Sequence, residues 1–198
     1  MKKIFSAVAA AGVLAFSGAV QAGDELDVML RSFKPEGQAT LERLYQDETQ
    51  ATCSKYRPGK AIPKAVAERV QKINRQLIEY PQKLMGDWRS GERIAQSGIG
   101  MQYSDDYRRG AGANCYACHQ LSPQEVSFGT IGPSLRNFGK LRGNSEAIVK
   151  YTYGKIYNAH AYSACTNMPR FGANGILTQA QIADLTALLL DPNSPVNK

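Results

Sequence analysis

The sequence predicts an all-α fold with long loops. The last stretch reads as a capped helix: Thr178 precedes it, Gln181 can close a capping box, Ile182, Leu185 and Leu189 share a stripe, and Pro192 follows its end. A second stripe, Val66, Val70, Ile73 and Leu77, predicts an amphipathic helix over 63–80, with Pro63 in its first turn and Pro81 at its stop. No segment between them shows the alternation of a half-buried strand.

The chain has 198 residues, 43% hydrophobic and 21% charged, which is a globular balance rather than a disordered one. Its length suits one domain with an extension, or two small domains, and excludes a TIM barrel or a two-halved dinucleotide fold. Two histidines exclude zinc or copper sites built on three imidazoles.

Taken in order, residues 1–22 read as a secretory signal peptide. Lys2 and Lys3 are followed by a mostly apolar run from Ile4 to Val20 and by the small-x-small cleavage signal Val20-Gln21-Ala22. The alternative is an uncleaved membrane anchor, for which the apolar run is short. The mature chain then starts near Gly23, with 22 basic against 17 acidic residues, a net charge of +5. The basic residues are scattered, so no nucleic-acid partner is expected, and no transmembrane segment is expected in the mature chain.

Residues 23–85 are expected to be an N-terminal helical extension. Within it 23–36 looks loose and polar, 38–48 suits a short helix through Leu41, Leu44 and Tyr45, and Ser54 to Pro58 a loop around Cys53. Residues 86–198 form the second domain. It starts with a helix over 88–97 that buries Trp88 and Ile94, followed by a glycine-rich loop from Gly98 to Gly112. A helix is expected at 145–157, capped by Asn144 or Ser145, with Ile148 and Tyr151 inward.

Four cysteines in an exported chain could form two disulfides. The run Cys115-Tyr116-Ala117-Cys118-His119 argues otherwise, because CxxCH is the pattern of c-type haem attachment. Each thiol adds to one haem vinyl group, and the histidine on the same turn reaches the iron. A thioredoxin-like pair would need a preceding strand, and Gly110 to Asn114 is not one. A zinc half-site would need a second CxxC pair.

The sixth ligand is sought in Cys165-Thr166-Asn167-Met168-Pro169-Arg170-Phe171-Gly172. Pro169 stiffens the backbone beside Met168, so the loop can hold a thioether at the iron. His160 and, less well placed, Met101 are its rivals; core packing is the ordinary reading of the methionine. On the proximal side the Pro133 carbonyl is expected to accept from His119, and Leu135 to pack on the haem edge. Tyr116, Phe128, Phe138, Tyr153, Tyr157 and Phe171 would pack or cover the haem. Lys140, Arg142, Lys150 and Lys155 would form a basic rim or ordinary solvated surface.

The order of CxxCH, Gly-Pro-Ser-Leu, Met-Pro-Arg-Phe-Gly and a last Leu-Thr-x-x-x-Ile-x-Asp-Leu helix resembles the class I cytochromes c over residues 86–192. That resemblance implies a haem beneath crossed first and last helices, thioether links at Cys115 and Cys118, and iron ligands His119 and Met168. It implies one covalently bound haem c. A closer likeness is to the SoxX family, through Asn-Cys-x-x-Cys-His, Gly-Thr-Ile-Gly-Pro-Ser-Leu and Met-Pro-Arg-Phe-Gly. The loop from Gly98 to Gly112 is longer than that family suggests, and the 23–85 extension departs from a minimal member.

The likeness implies a periplasmic electron-transfer subunit. Its partners would be a SoxA-like haem subunit, a SoxYZ-like carrier reached through the complex, and a downstream electron acceptor. The complex is similar to an L-cysteine S-thiosulfotransferase that joins thiosulfate oxidatively to a carrier cysteine. On that reading Cys53 and Cys165 are left over. A reactive thiol so near Met168 would endanger the loop, so a Cys53–Cys165 disulfide is expected; two separate buried thiols or a catalytic Cys53 are the alternatives. A free periplasmic shuttle cytochrome shares every haem residue. A structural subunit, a diatomic sensor and a thiol–disulfide protein are further alternatives.

Overall fold

Gly86, just ahead of one helix, and Gly91 within it allow that helix to lie directly on the last helix of the chain. The computed structural model describes residues 22–56 and 60–198. Its helices are α1 (Ala22–Ser32), α2 (Glu48–Ser54), α3 (Lys64–Gln76), α4 (Trp88–Gln96), α5 (Phe138–Arg142), α6 (Glu146–Tyr157) and α7 (Gln179–Leu190). Among the described residues there is no strand, and the one bridge pairs Glu36 with Ala39. The expected all-α architecture is the one observed.

α7 follows its signals closely. The Thr178 side chain accepts from the Gln181 amide, and the Gln181 side chain answers at the Thr178 amide, so the capping box is complete. The expected stripe understates its burial. Ile182, Ala183 and every residue from Leu185 to Leu190 are buried, as a helix apolar on all sides must be in a small core. The Asn197 side chain closes its far end. Its amide donates to the carbonyls of Leu189 and Asp191, and its oxygen accepts from Gly139 at the start of α5.

α4 crosses α7 at close range. A Cβ at Gly91 would stand 2.2 Å from the Asp184 carbonyl oxygen and 3.0 Å from the Leu188 Cβ. The approach is fixed by two hydrogen bonds: the Gly86 amide donates to the Ala183 carbonyl at 2.9 Å, and the Asp87 amide to Asp184 Oδ1 at 2.8 Å. Gly91→Val should separate the helices and lower stability by about 1–3 kcal/mol, the usual cost of overpacking. Denaturant unfolding of the holoprotein checks this. Trp88 and Ile94 are only partly buried, packed on the edge of the core.

The chain divides into two compact units, one up to Lys34 and one from Pro35 to Lys198. Residues 35–85 therefore belong to the same unit as 86–198. The signal peptide falls almost wholly on residues 1–21, which lie outside the described residues. The segment read as loose, 23–36, is helical through Ser32; in α1, Asp27 pairs with Arg31 one turn on.

Within the larger unit, Leu41–Leu44 is a single 3₁₀ turn, and Cys53 lies in α2 rather than beside a loop. α3 is shorter than its stripe. It stops at Gln76, which leaves Leu77 exposed at the C-cap, and Asn74 takes the buried place. The Asn74 side chain donates to Thr49 Oγ1 on α2 and receives the Asn158 amide at the end of α6, so α2, α3 and α6 are joined by a buried polar network. On α6, Tyr151 faces outward against expectation. Thr152, Tyr153, Ile156 and Tyr157 are the buried face.

Candidate functional site

The CxxCH segment is a single 3₁₀ turn, Cys115–Ala117, entered through Asn114 in the left-handed conformation at φ 44°. Asparagine tolerates that geometry better than most residues. Both the Cys118 and His119 amides donate to the Cys115 carbonyl, at 3.1 and 2.9 Å, which curls the two thiols and the imidazole onto one turn. Cys115 and Cys118 are not bonded to each other. Burial pushes the Cys115 thiol up to about 12, so at neutral pH it is neutral and unsuited to attack on a disulfide.

The following loop is laced beneath this turn. The Gly129 amide donates to the Tyr116 carbonyl, Gly132 to Cys118 and Leu135 to Gln120, each at 2.8 Å. This close packing explains the glycines of Gly-Thr-Ile-Gly-Pro-Ser-Leu. A Cβ at Gly129 would lie 1.9 Å from the Ala117 carbonyl oxygen, and one at Gly132 would lie 2.1 Å from His119 Cε1. Pro133 is thereby placed with its carbonyl 2.7 Å from His119 Nδ1. A carbonyl can only accept, so Nδ1 carries a proton, and Nε2 is the ring nitrogen left to face a metal.

His119 and Cys115 line an apolar slot together with Leu121, Leu135, Ile156, Met168, Phe171 and, from α7, Leu185, Leu188 and Leu189. Of the candidate sixth ligands, Met168 is the one in this slot. His160 sits on the 3₁₀ turn Ala159–Ala161 outside the lining, and Met101 is exposed. An imidazole, a thioether and the Cys115 thiol share this greasy cleft, with Cys118 on the same turn as Cys115, and that donor set fits a c-type haem. Among the described residues no cluster of three or more His, Cys, Asp or Glu suits a different metal.

The aromatic residues expected around the haem divide. Phe171 lines the slot, Tyr116, Tyr153 and Tyr157 are buried in the core, Phe138 is packed on its edge, and Phe128 is 38% exposed and outside the slot lining. Of the basic rim, Lys155 is half-buried and donates to the Ala159 carbonyl, and desolvation lowers its pKa. Lys150 lies over the Tyr80 ring, and Arg142 over Phe138.

Cys53 and Cys165 are bridged, with Cα atoms 5.3 Å apart across 112 residues of chain. A contact that the sequence did not suggest lies beside this bridge. Arg170, buried with 6% exposure, pairs with Asp47, the N-cap of α2. The two residues are 123 positions apart, and neither has a local motif that announces the other.

A helical fold closed over an apolar slot, with a CxxCH imidazole and a methionine sulfur sharing that slot, defines an electron-transfer haem protein of the c type. Residues 108–191 match the family model described as Cytochrome c. Over its full length the chain is 36% identical to an uncharacterized lipoprotein of Aquifex aeolicus (strain VF5), an alignment of 212 residues covering 100% of this chain and 98% of that protein. Residues 108–191 therefore form a cytochrome c family domain, and α4, just ahead of it, packs on its last helix, α7.

Proposed function

We propose that this protein is the electron-transfer subunit of a periplasmic SoxAX-type L-cysteine S-thiosulfotransferase, with one haem c. The observation that carries the electron-transfer part is the placing of Cys115, His119 and Met168 around a single apolar slot. Haem c supplies a one-electron couple. Cys115 and Cys118 would tether it, His119 Nε2 and the Met168 sulfur would hold the iron, and the Leu185, Leu188 and Leu189 side chains would keep water out. A thioether in place of a second imidazole favours the reduced iron, which suits an electron acceptor.

The sulfur-oxidation part rests on the likeness of the Gly-Thr-Ile-Gly-Pro-Ser-Leu and Met-Pro-Arg-Phe-Gly segments to the SoxX family. The cysteines agree with the division of labour. Cys53 and Cys165 are bonded to each other, and Cys115 and Cys118 belong to the haem motif, so sulfur chemistry is left to a SoxA-like partner and a SoxYZ-like carrier. Val126 and Ile131, exposed on the loop beyond the haem motif, offer that partner apolar contact. Among the described residues no helix is long and apolar enough to cross a membrane.

The test is a pull-down of the holoprotein followed by reconstitution. Co-purification with a haem-bearing partner, and thiosulfate-dependent reduction only when partner and carrier are both present, is the expected result. Recovery as a monomer that accepts electrons from unrelated donors, with no response to thiosulfate in the reconstituted system, would make it a free shuttle cytochrome.

A further inference from the structure

Residues 162–178, which carry Met168, contain no helix or strand. The backbone of this segment is tied to the end of α6 beyond Met168, where the Gly172 and Ala173 amides donate to the Tyr157 carbonyl at 2.9 and 3.2 Å, but the Met168 amide itself has only Thr166 Oγ1 at 3.3 Å. The loop is further fastened on either side of Met168. Three residues before it, Cys165 is bonded to Cys53. Two residues after it, Arg170 is paired with Asp47. Both fastenings end on α2, Cys53 within that helix and Asp47 at its N-cap.

α2 is in turn braced. Thr49 accepts from the buried Asn74 of α3, which is bonded to Asn158 beyond α6, whereas the Glu48–Arg69 pair is solvent-exposed on both sides and adds little to this brace. A run of partnered groups thus connects the Met168 loop to the helical body through α2 and α3. Only Pro169 separates Met168 from Arg170, and its fixed φ leaves little slack between them.

We propose that the Asp47–Arg170 pair is a positioning device for Met168. The N-terminal segment would then be a functional part of the haem site, and the proposal rests on Met168 being the sixth iron ligand. The two carboxylate oxygens of Asp47 have separate tasks. Oδ1 accepts from the Gln50 amide and caps α2, while Oδ2 accepts from Arg170. Asp47→Asn keeps an oxygen for the cap and removes the charge that balances Arg170. A buried guanidinium without its countercharge turns toward water, and the peptide carrying Met168 moves with it. Glu48→Gln cuts a charge pair on the same helix that does not touch the loop, and serves as the control.

The experiment uses the ferric holoprotein and two readouts: the thioether-to-iron charge-transfer band, and titration with imidazole, which competes with Met168 for iron. In Asp47→Asn the apparent affinity for imidazole should rise by about tenfold, corresponding to about 1.4 kcal/mol of lost Met168 retention. Arg170→Lys, which keeps the charge but loses the planar fork, should rise in the same direction by less. Glu48→Gln should match the wild type. Wild-type imidazole affinity in Asp47→Asn would overturn the positioning role, as would an equal rise in Glu48→Gln. Absence of the thioether band from the wild type would overturn the Met168 reading and the positioning role together, which separates the two failures.

Discussion

His119→Ala is expected to abolish the low-spin spectrum and slow reduction by more than about 100-fold, because even lost outer supports of a metal ligand cost 10- to 100-fold. The expectation follows from how strictly the imidazole is oriented. Its Nδ1 is committed to the Pro133 carbonyl, and its face lies on Gly132. No neighbouring side chain is placed to substitute, since His160 lies outside the slot lining. Visible spectra and stopped-flow reduction by an artificial donor would measure the loss. Covalent attachment through Cys115 and Cys118 should survive, so haem stain after denaturing electrophoresis would remain positive. An unaltered low-spin spectrum would mean that another residue ligates the iron.

The second large effect concerns stability. Removing the Cys53–Cys165 bridge by paired Ser substitutions should lower stability by about 4–5 kcal/mol, the chain-entropy value for a closed loop of roughly this size. At about 2–4 °C per kcal/mol for a protein of this length, thermal unfolding should fall by roughly 10–15 °C. Melting with and without reductant gives an internal check. Reductant should destabilise the native protein by a similar amount and leave the double variant unchanged. The same bridge fastens the Met168 loop, so weakened thioether ligation should accompany the lower melting temperature.

Much of the site was legible because its signals are local and chemical. CxxCH carries its meaning in five adjacent residues, and Met168 is marked by the proline beside it. The α7 capping box needed only Thr178 and Gln181. Other features depend on neighbours that no window contains. The stripe through Leu77 looked continuous, yet Asn74 is buried because Thr49 and Asn158 satisfy it. Tyr151 had the right spacing to face inward, but α6 turns Tyr153 and Tyr157 to the core instead. Nothing local explains why positions 129 and 132 are glycine; only the structure shows that their lack of a side chain lets one loop pass under His119. The Asp47–Arg170 pair has no sequence signature, since its specificity is wholly tertiary. The helix at Ala22–Ser32 was missed because a short polar segment carries little periodic signal.

The spacing of the cysteines also constrains how the molecule can be assembled. Cys53 is synthesised first and its partner Cys165 last, with both haem thiols between them. An oxidant that joined thiols in order of appearance would pair Cys53 with Cys115, destroying the bridge and the haem attachment at once. Correct maturation therefore requires that Cys115 and Cys118 be withheld from oxidation until haem is joined, or that Cys53 be able to exchange until Cys165 arrives. Once the two thioethers form, only Cys53 and Cys165 remain, and the correct bridge is the only intramolecular disulfide left to make.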